Sequence, residues 1–328
     1  MKLHNDMTLF RQAVQFTADQ MQIPAIYIEK DYWVTYALYH IFNHTIGVDT
    51  IFKGGTALSK CYGLIERFSE DIDLVVLRQE GESNNKLNTK LKTITKIVGE
   101  LLPEIEIAGL TNKKGMNRKT VHTFKKDFTG SYGQVRESIV IEATWLGQSD
   151  PHTTKSICSY VGQAMLENEQ ASIAKKHELM PFEVKVMTPN RTICEKIMSL
   201  VRFSYSKDPV EDLKKKIRHI YDLHQLLSRT EYADFFQSND FEQLLVRVAK
   251  DDVISFKNNN QWLQHHPSKS ILFKDTENTW TQIKTAYNTD FKNLVYGELP
   301  NEDDILDTLL TIQKRLSLIQ WNIKPTQQ

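Results

Sequence analysis

The stretch Lys53-Gly54-Gly55-Thr56-Ala57-Leu58-Ser59-Lys60, followed shortly by Arg67-Phe68-Ser69-Glu70-Asp71-Ile72-Asp73-Leu74, decides the fold. Glycines between a strand and a helix let the backbone approach a phosphate, and the first N–H groups of the helix carry a partial positive charge. Asp71 and Asp73 stand two apart in the apolar run Asp71–Leu77. A strand's period of two puts both on one face and Ile72, Leu74 and Val76 on the other. Aspartate is a poor strand residue, so a pair on one face asks for a reason. A divalent cation shared with a triphosphate is such a reason, since Mg2+ takes oxygen ligands, commonly one or two carboxylates plus phosphates. Each part alone has a plain alternative, a tight turn for the glycines and solvated strand positions for the aspartates. Their succession points to a nucleotide and its metal.

Working outward, Thr8 to about His44 is helical in pattern, broken at Pro24, and Thr50–Phe52 is a short strand ending at the glycines. A helix over about Thr56–Ile65 buries Ala57, Leu58, Cys61, Tyr62 and Ile65 and turns Lys60 away. A strand over Asp71–Leu77, a helix over Leu87–Leu102, and strands at Glu104–Ala108 and Ser138–Trp145 follow, with a basic loop from Asn112 to Lys126 between the last two. Beyond about Thr188 the strand signal fades. Ile193, Ile197, Leu200 and Val201 mark one helix, and Ile217, Ile220, Tyr221 and Leu227 another. Ile305, Leu309, Ile312, Leu316 and Ile319 mark a third behind the acidic start Glu302–Asp304. The expected class is α+β: residues 1–187 form helices and a mixed sheet, and residues 188–328 a helical lobe.

Composition bounds the rest. The chain has 328 residues, long enough for two domains, with Lys+Arg and Asp+Glu equal at 41. Any nucleic-acid contact must therefore come from a local patch. Three cysteines without a Cys-x-x-Cys spacing argue against a disulfide framework or thiolate zinc site, and fit a reducing cytoplasm. No leader-like apolar segment opens the chain and no run of about 18 apolar residues occurs, so a soluble cytoplasmic protein is expected. No long heptad seam appears, which makes a monomer the default.

Glu142, within Ile139-Val140-Ile141-Glu142-Ala143-Thr144, is the best candidate for a third metal ligand, with Glu104 and Glu106 competing and a solvent-facing strand residue as the alternative. Lys60 would reach back to a phosphate or stand as a surface lysine. Lys196 lies partly free on its helix, and Arg218 and Asp222 have the i,i+4 spacing of a local salt bridge. By spacing alone these residues of the helical region are structural. Lys113, Lys114, Arg118, Lys119, His122, Lys125 and Lys126, with Phe124 among them, and the cluster Lys214–Lys216 with Arg218, would hold an RNA backbone and stack a base, or be solvated. His265-His266 has no partner at ligand spacing, and Asn258–Asn260 lies in a polar loop.

The glycine turn with its Asp-x-Asp is similar to the signature of DNA polymerase β-like nucleotidyltransferases. More narrowly, Ile28-Glu29-Lys30-Asp31-Tyr32-Trp33, Phe52-Lys53-Gly54-Gly55-Thr56-Ala57-Leu58, Arg67 to Asp73, Cys194-Glu195-Lys196 and Arg218-His219-Ile220-Tyr221-Asp222-Leu223 together resemble the AbiEii toxin family. The fifteen residues between Gly55 and Asp71 exceed the gap usual in the wider polymerase β-like group but suit this family.

That resemblance implies a toxin of a type IV toxin–antitoxin or phage-abortive system, with a nucleotidyltransferase lobe and a helical lobe that completes the active-site cleft. It implies transfer of a nucleotide from an NTP to an RNA 3′ end, tRNA foremost, and a block of translation. Gly54, Gly55, Thr56 and Lys60 would bind the nucleotide, with Lys196 also engaged, and Asp71 and Asp73 the Mg2+, as one ion or two. Lys196 and Asp222 would complete the catalytic set. An RNA acceptor and a cognate antitoxin are the implied partners, with no membrane. The alternatives are transfer to a protein or small-molecule acceptor, or a non-catalytic nucleotidyltransferase fold that binds RNA or a partner.

Overall fold

The computed structural model describes residues 1–69, 71–130, 135–146, 151–257 and 259–325. Glu70 and Asn258, both part of the sequence reading, lie outside the described residues. The chain divides into two compact units, Met1–Gly63 with Phe68–Met187, and Leu64–Arg67 with Thr188–Gln328.

The first unit is built on a seven-stranded mixed sheet of β1 (Thr50–Lys53), β2 (Ile72–Val76), β3 (Glu104–Ile105), β4 (Asn117–His122), β5 (Ile139–Thr144), β6 (His152–Ile157) and β7 (Phe182–Met187), in the order β3-β4-β5-β2-β1-β7-β6. β2 runs parallel to β5 and β1 parallel to β7, whereas the β1–β2, β3–β4, β4–β5 and β6–β7 pairs are antiparallel. Its helices are α1 (Met7–Met21), α2 (Ala25–Phe42), α3 (Gly54–Tyr62), α4 (Asn84–Leu101), α5 (Tyr160–Glu167) and α6 (Ala171–Lys176).

Local chemistry sets the helix ends. The Asp6 carboxylate accepts from the Leu9 N–H at the start of α1, and α1 stops at Gln22 in the left-handed region, two residues before Pro24. Helix α3 ends on Gly63 at φ 59°. Helix α2 differs from the others in being buried from Ile26 through Leu38, all round its circumference. Its charged residues Glu29, Lys30 and Asp31 are therefore buried too, which is tolerable only with partners.

Three points differ from the sequence reading. The basic segment expected as a loop contains β4, paired with β5 through six registers. β6 and β7, which pair from His152↔Met187 to Ile157↔Phe182, were not anticipated. Five of the six β6 residues are exposed, so this edge strand carries no apolar alternation, and its partner strand defines it. Asp71 precedes β2 rather than lying within it.

The second unit is helical: α7 (Pro189–Phe203), α8 (Pro209–Lys214), α9 (Ile217–Leu227), α10 (Thr230–Gln237), α11 (Asn239–Ser255), α12 (Ile271–Lys274), α13 (Thr276–Ala286) and α14 (Glu302–Ser317). The stripes on α7, α9 and α14 form its core, with Ile193, Ile197, Leu200, Ile217, Ile220, Ile305, Leu309 and Ile312 all wholly buried. Asn301 caps α14 by accepting from the N–H groups of Asp303 and Asp304. The short segment Leu64–Arg67 belongs here: Arg67 bridges Val295, and the Glu66 carbonyl accepts from Tyr296 and Gly297. No helix among the described residues is long and apolar enough to cross a membrane. Taken together, the chain is an α+β protein with a mixed sheet and a helical second unit.

Candidate active site

The sheet register brings four charged residues into one row. Lys53 on β1 stands opposite Asp73 on β2, Asp73 opposite Glu142 on β5, and Glu142 opposite Lys119 on β4. Residues directly opposite in a ladder share a face, so the order across the sheet is cation, carboxylate, carboxylate, cation. Glu142 is anchored: its carboxylate accepts from Lys119 Nζ at 2.9 Å and from Asn117 Nδ2 at 2.8 Å. Burial resists its ionisation, but Lys119 and these hydrogen bonds outweigh that and hold its carboxyl below the usual range.

Asp73 has the opposite electrostatics. Burial, then the charges of Glu142 and Asp71, push its carboxyl up to about 7 against the pull of Lys53 and Lys119. Among the described residues no ion pair is made by this carboxylate. It sits against the turn at Gly54, whose φ is 79° and where a β-carbon would overlap the Asp73 carboxylate. Position 54 thus needs glycine both for backbone conformation and for room. Thr56 fixes the other side of the turn: its hydroxyl donates to the Asp71 carbonyl at 2.5 Å and lies 3.0 Å from the Ser69 hydroxyl. Gly54, Gly55 and Thr56 open the nine-residue helix α3, with N–H groups left for an anion.

The donor set suits a hard divalent cation. Asp71 and Asp73 offer only oxygens, and the mutual repulsion that raises Asp73 would be relieved by a positive ion. Asp71 is met by Arg136, with Nη1 3.1 Å from each carboxylate oxygen. Among the described residues no group of three or more His, Cys, Asp or Glu is gathered as ready metal ligands.

Lys60 departs from its sequence reading. Its side chain is 3% exposed, its Nζ lies 2.6 Å from Asp31 Oδ1 and donates to the Cys158 carbonyl at 3.4 Å, and it stands over the Tyr160 ring. Asp31 also accepts from the Tyr160 N–H at 2.8 Å. A lysine expected to meet a phosphate is instead a buried tie between α2, α3 and the start of α5.

Lys196 and Asp222 do come together, within the second unit. Lys196 Nζ is 2.6 Å from Asp222 Oδ2, and Arg67 grips the same carboxylate through Nε at 2.6 Å and Nη2 at 2.7 Å. All three are buried. Burial opposes ionisation of Asp222, yet Arg67 and Lys196 prevail and hold it low, while burial lowers Lys196 despite Asp222. The partners of Asp222 are thus Arg67 and Lys196, in place of the local salt bridge to Arg218 suggested by i,i+4 spacing.

The basic residues of the β4 region are largely engaged. Lys113 pairs with Glu104 and Glu106, Lys119 with Glu142 and Lys126 with Glu137, while Arg118 donates to Thr95 and His122 is buried. Glu104 and Glu106, the alternatives to Glu142, share Lys113, and Glu104 stands on the edge strand β3, two strands from Glu142 on β5. Phe124 and Lys125 line a cavity of about 440 Å³ with His4, Trp33 and Tyr36, an aromatic-walled hollow outside the carboxylate row. His265 stacks on Tyr205, and His266 bonds Ser268 and the Ile319 carbonyl, so neither is a ligand pair.

Sequence reasoning overlooked Lys53, Asn117, Lys119 and Arg136 as neighbours of the carboxylates. The β-branched pair Thr120-Val121 within the basic segment was a local hint of β4 and so of Lys119. Arg136 carried no local signal.

The model of the nucleotidyl transferase AbiEii toxin family, type IV toxin–antitoxin system, matches residues 36–309. No curated protein sequence matches the chain. Among solved structures the chain is similar to the nucleotidyltransferase toxin MenT4 of Mycobacterium tuberculosis, at 15% identity and a TM-score of 0.42, covering 91% of this chain and 98% of that one. With the family match spanning most of the sequence and both the glycine turn and the Asp-x-Asp strand inside it, the chain belongs to the AbiEii family of nucleotidyltransferase toxins of type IV toxin–antitoxin systems.

Proposed function

We propose that this protein transfers a nucleotide from an NTP to the 3′ end of an RNA, with tRNA the foremost acceptor, and thereby blocks translation unless a cognate antitoxin restrains it. The observation that carries this reading is the juxtaposition of Gly54, at the head of α3, with the Asp73 carboxylate and its register partner Glu142. Phosphate-binding backbone and carboxylates meet at one point.

In this reading Gly54, Gly55 and Thr56 present the N–H groups of α3 to the triphosphate. Asp71 and Asp73 would hold the divalent ion, Mg2+ in this proposal, which when bound supplies positive charge to the reacting phosphate and its leaving group. Lys53 and Lys119 flank the carboxylates and offset their charge, and Glu142, the register partner of Asp73 held by Lys119 and Asn117, is the candidate third ligand. Lys196 and Asp222 are required in this reading through the buried cluster with Arg67. An enzyme drawing on NTP and RNA would work in the cytoplasm, and we take it to act as a monomer.

A second reading keeps the chemistry and changes the acceptor to a protein or small molecule. It is favoured by the engagement of Lys113, Lys119 and Lys126 in ion pairs, which leaves fewer cations for an RNA backbone. Incubation of the protein with total RNA, Mg2+ and each labelled NTP in turn separates the two. Label in a discrete RNA band, lost in Asp71→Asn and Asp73→Asn, supports the first reading. Label only in protein or small molecules supports the second, and no label in any fraction rejects both.

A further inference from the structure

Three successive charged residues of α2 act on three different places around the site. Glu29 accepts from the N–H groups of Asp127 at 2.7 Å and Phe128 at 3.2 Å. Lys30, wholly buried, donates to the backbone carbonyl of Arg136. Asp31 holds Lys60 and the Tyr160 N–H. Burying consecutive charges is costly unless each is hydrogen-bonded, and each of these is bonded to a segment distant in sequence. Lys30 therefore fixes the backbone at Arg136, whose guanidinium lies on Asp71.

The Arg136–Asp71 contact has the form of a provisional one. A single nitrogen, Nη1, is shared between the two carboxylate oxygens at 3.1 Å each, not the two-nitrogen fork that Arg67 makes with Asp222 at 2.6 and 2.7 Å. The side chains are 38% and 31% exposed, so solvent screens the pair and its worth is small. A divalent ion brings twice the charge to the same oxygens. With Arg136 on both oxygens, Asp71 ligates an ion less strongly, because guanidinium and ion repel each other at the same carboxylate.

We propose that Arg136, set in place by Lys30, is a positioning residue that holds the Asp71 carboxylate before the divalent ion arrives and must yield it for the ion to bind. Arg136 thereby keeps Asp71 aimed before an ion binds, where neighbouring carboxylates would otherwise repel, and sets an electrostatic threshold for metal entry. This rests on the assignment of Asp71 as a metal ligand, and goes beyond it by naming the competitor.

The test is Mn2+ titration of the full-length protein, followed by electron paramagnetic resonance of the free ion, for the native chain, Asp71→Asn, Arg136→Gln, Arg136→Lys and Lys30→Met. Arg136→Gln should bind Mn2+ about three- to tenfold more tightly than native, with the gap narrowing as salt rises because the exposed pair is screened. Arg136→Lys, which keeps the charge, should stay near native. Lys30→Met, if folded by circular dichroism, should move toward Arg136→Gln. Native binding that is abolished in Asp71→Asn but unchanged or weakened in Arg136→Gln overturns the inference and leaves the metal assignment standing. A native chain that binds no Mn2+, with or without NTP, overturns the assignment itself and this inference with it.

Discussion

Gly54 lies so close to the Asp73 carboxylate that a β-carbon at position 54 would overlap it, at a backbone φ of 79°. The turn proposed to meet the triphosphate and the strand that carries Asp73 are thus packed without a gap. Gly54→Ala meets both a left-handed backbone and a collision, and strain of this type costs about 1–3 kcal/mol. Nucleotide transfer should fall to background and the melting temperature should drop by several degrees, as read by labelled-NTP incorporation and thermal unfolding. Near-native turnover would show that the contact is not part of the working site.

Lys60 and Asp31 form a buried pair, with side chains 3% and 5% exposed. Removing one partner of such a pair leaves an uncompensated charge, at a cost of about 3–5 kcal/mol. Lys60→Met should therefore lower stability in urea, and Lys60→Met with Asp31→Asn should recover part of the loss. The KM for NTP should change little in whatever fraction remains folded. A large rise in KM with unchanged stability would return Lys60 to the triphosphate.

Asp222 compensates both Arg67 and Lys196 in the second unit. Asp222→Ala should destabilise that unit by about 3–5 kcal/mol, because two buried cations lose their shared carboxylate. Since the folded carboxyl is held below its ordinary value, this stabilisation is present above the unfolded Asp range and is lost as pH falls through the folded pKa. Chemical denaturation of native and variant protein at pH 7 measures the effect. A variant as stable as native would mean that Asp222 serves chemistry alone.

His219 should make the second unit acid-sensitive at milder pH. Its Nδ1 is buried with no hydrogen-bond partner among the described residues, and burial, then the charges of Lys196, Lys216, Arg218 and Arg67, hold its pKa well below 6.5. The unfolded chain takes up a proton near 6.5 and the folded one does not. Stability is therefore level above that pH and falls below it, with a slope of about 1.4 kcal/mol per pH unit for one proton. His219→Gln should flatten the urea-derived stability profile between pH 5 and 6.5 by one proton. An unchanged slope would show that His219 takes up its proton equally in the folded state.

What the sequence determined by itself was whatever local pattern encodes. The strand–glycine–helix turn, the Asp-x-Asp strand and the helical stripes at Ile193, Ile217 and Ile305 each announce themselves within a dozen residues, because side-chain periodicity and glycine's backbone freedom are local properties. The family resemblance drew on the same short segments. Tertiary structure alone decided the partners. Which strand lies beside β2 sets Glu142 and Lys119 in one row with Asp73, and a register is a property of two strands and not of one. The sequence put Lys60 on a polar helix face; only the burial of α2 showed that Asp31 claims it. Asp222 had a local candidate partner in Arg218, but enclosure made the distant Arg67 and Lys196 its neighbours. Buried charge must be matched wherever the fold brings an opposite charge, and that distance is invisible along the chain.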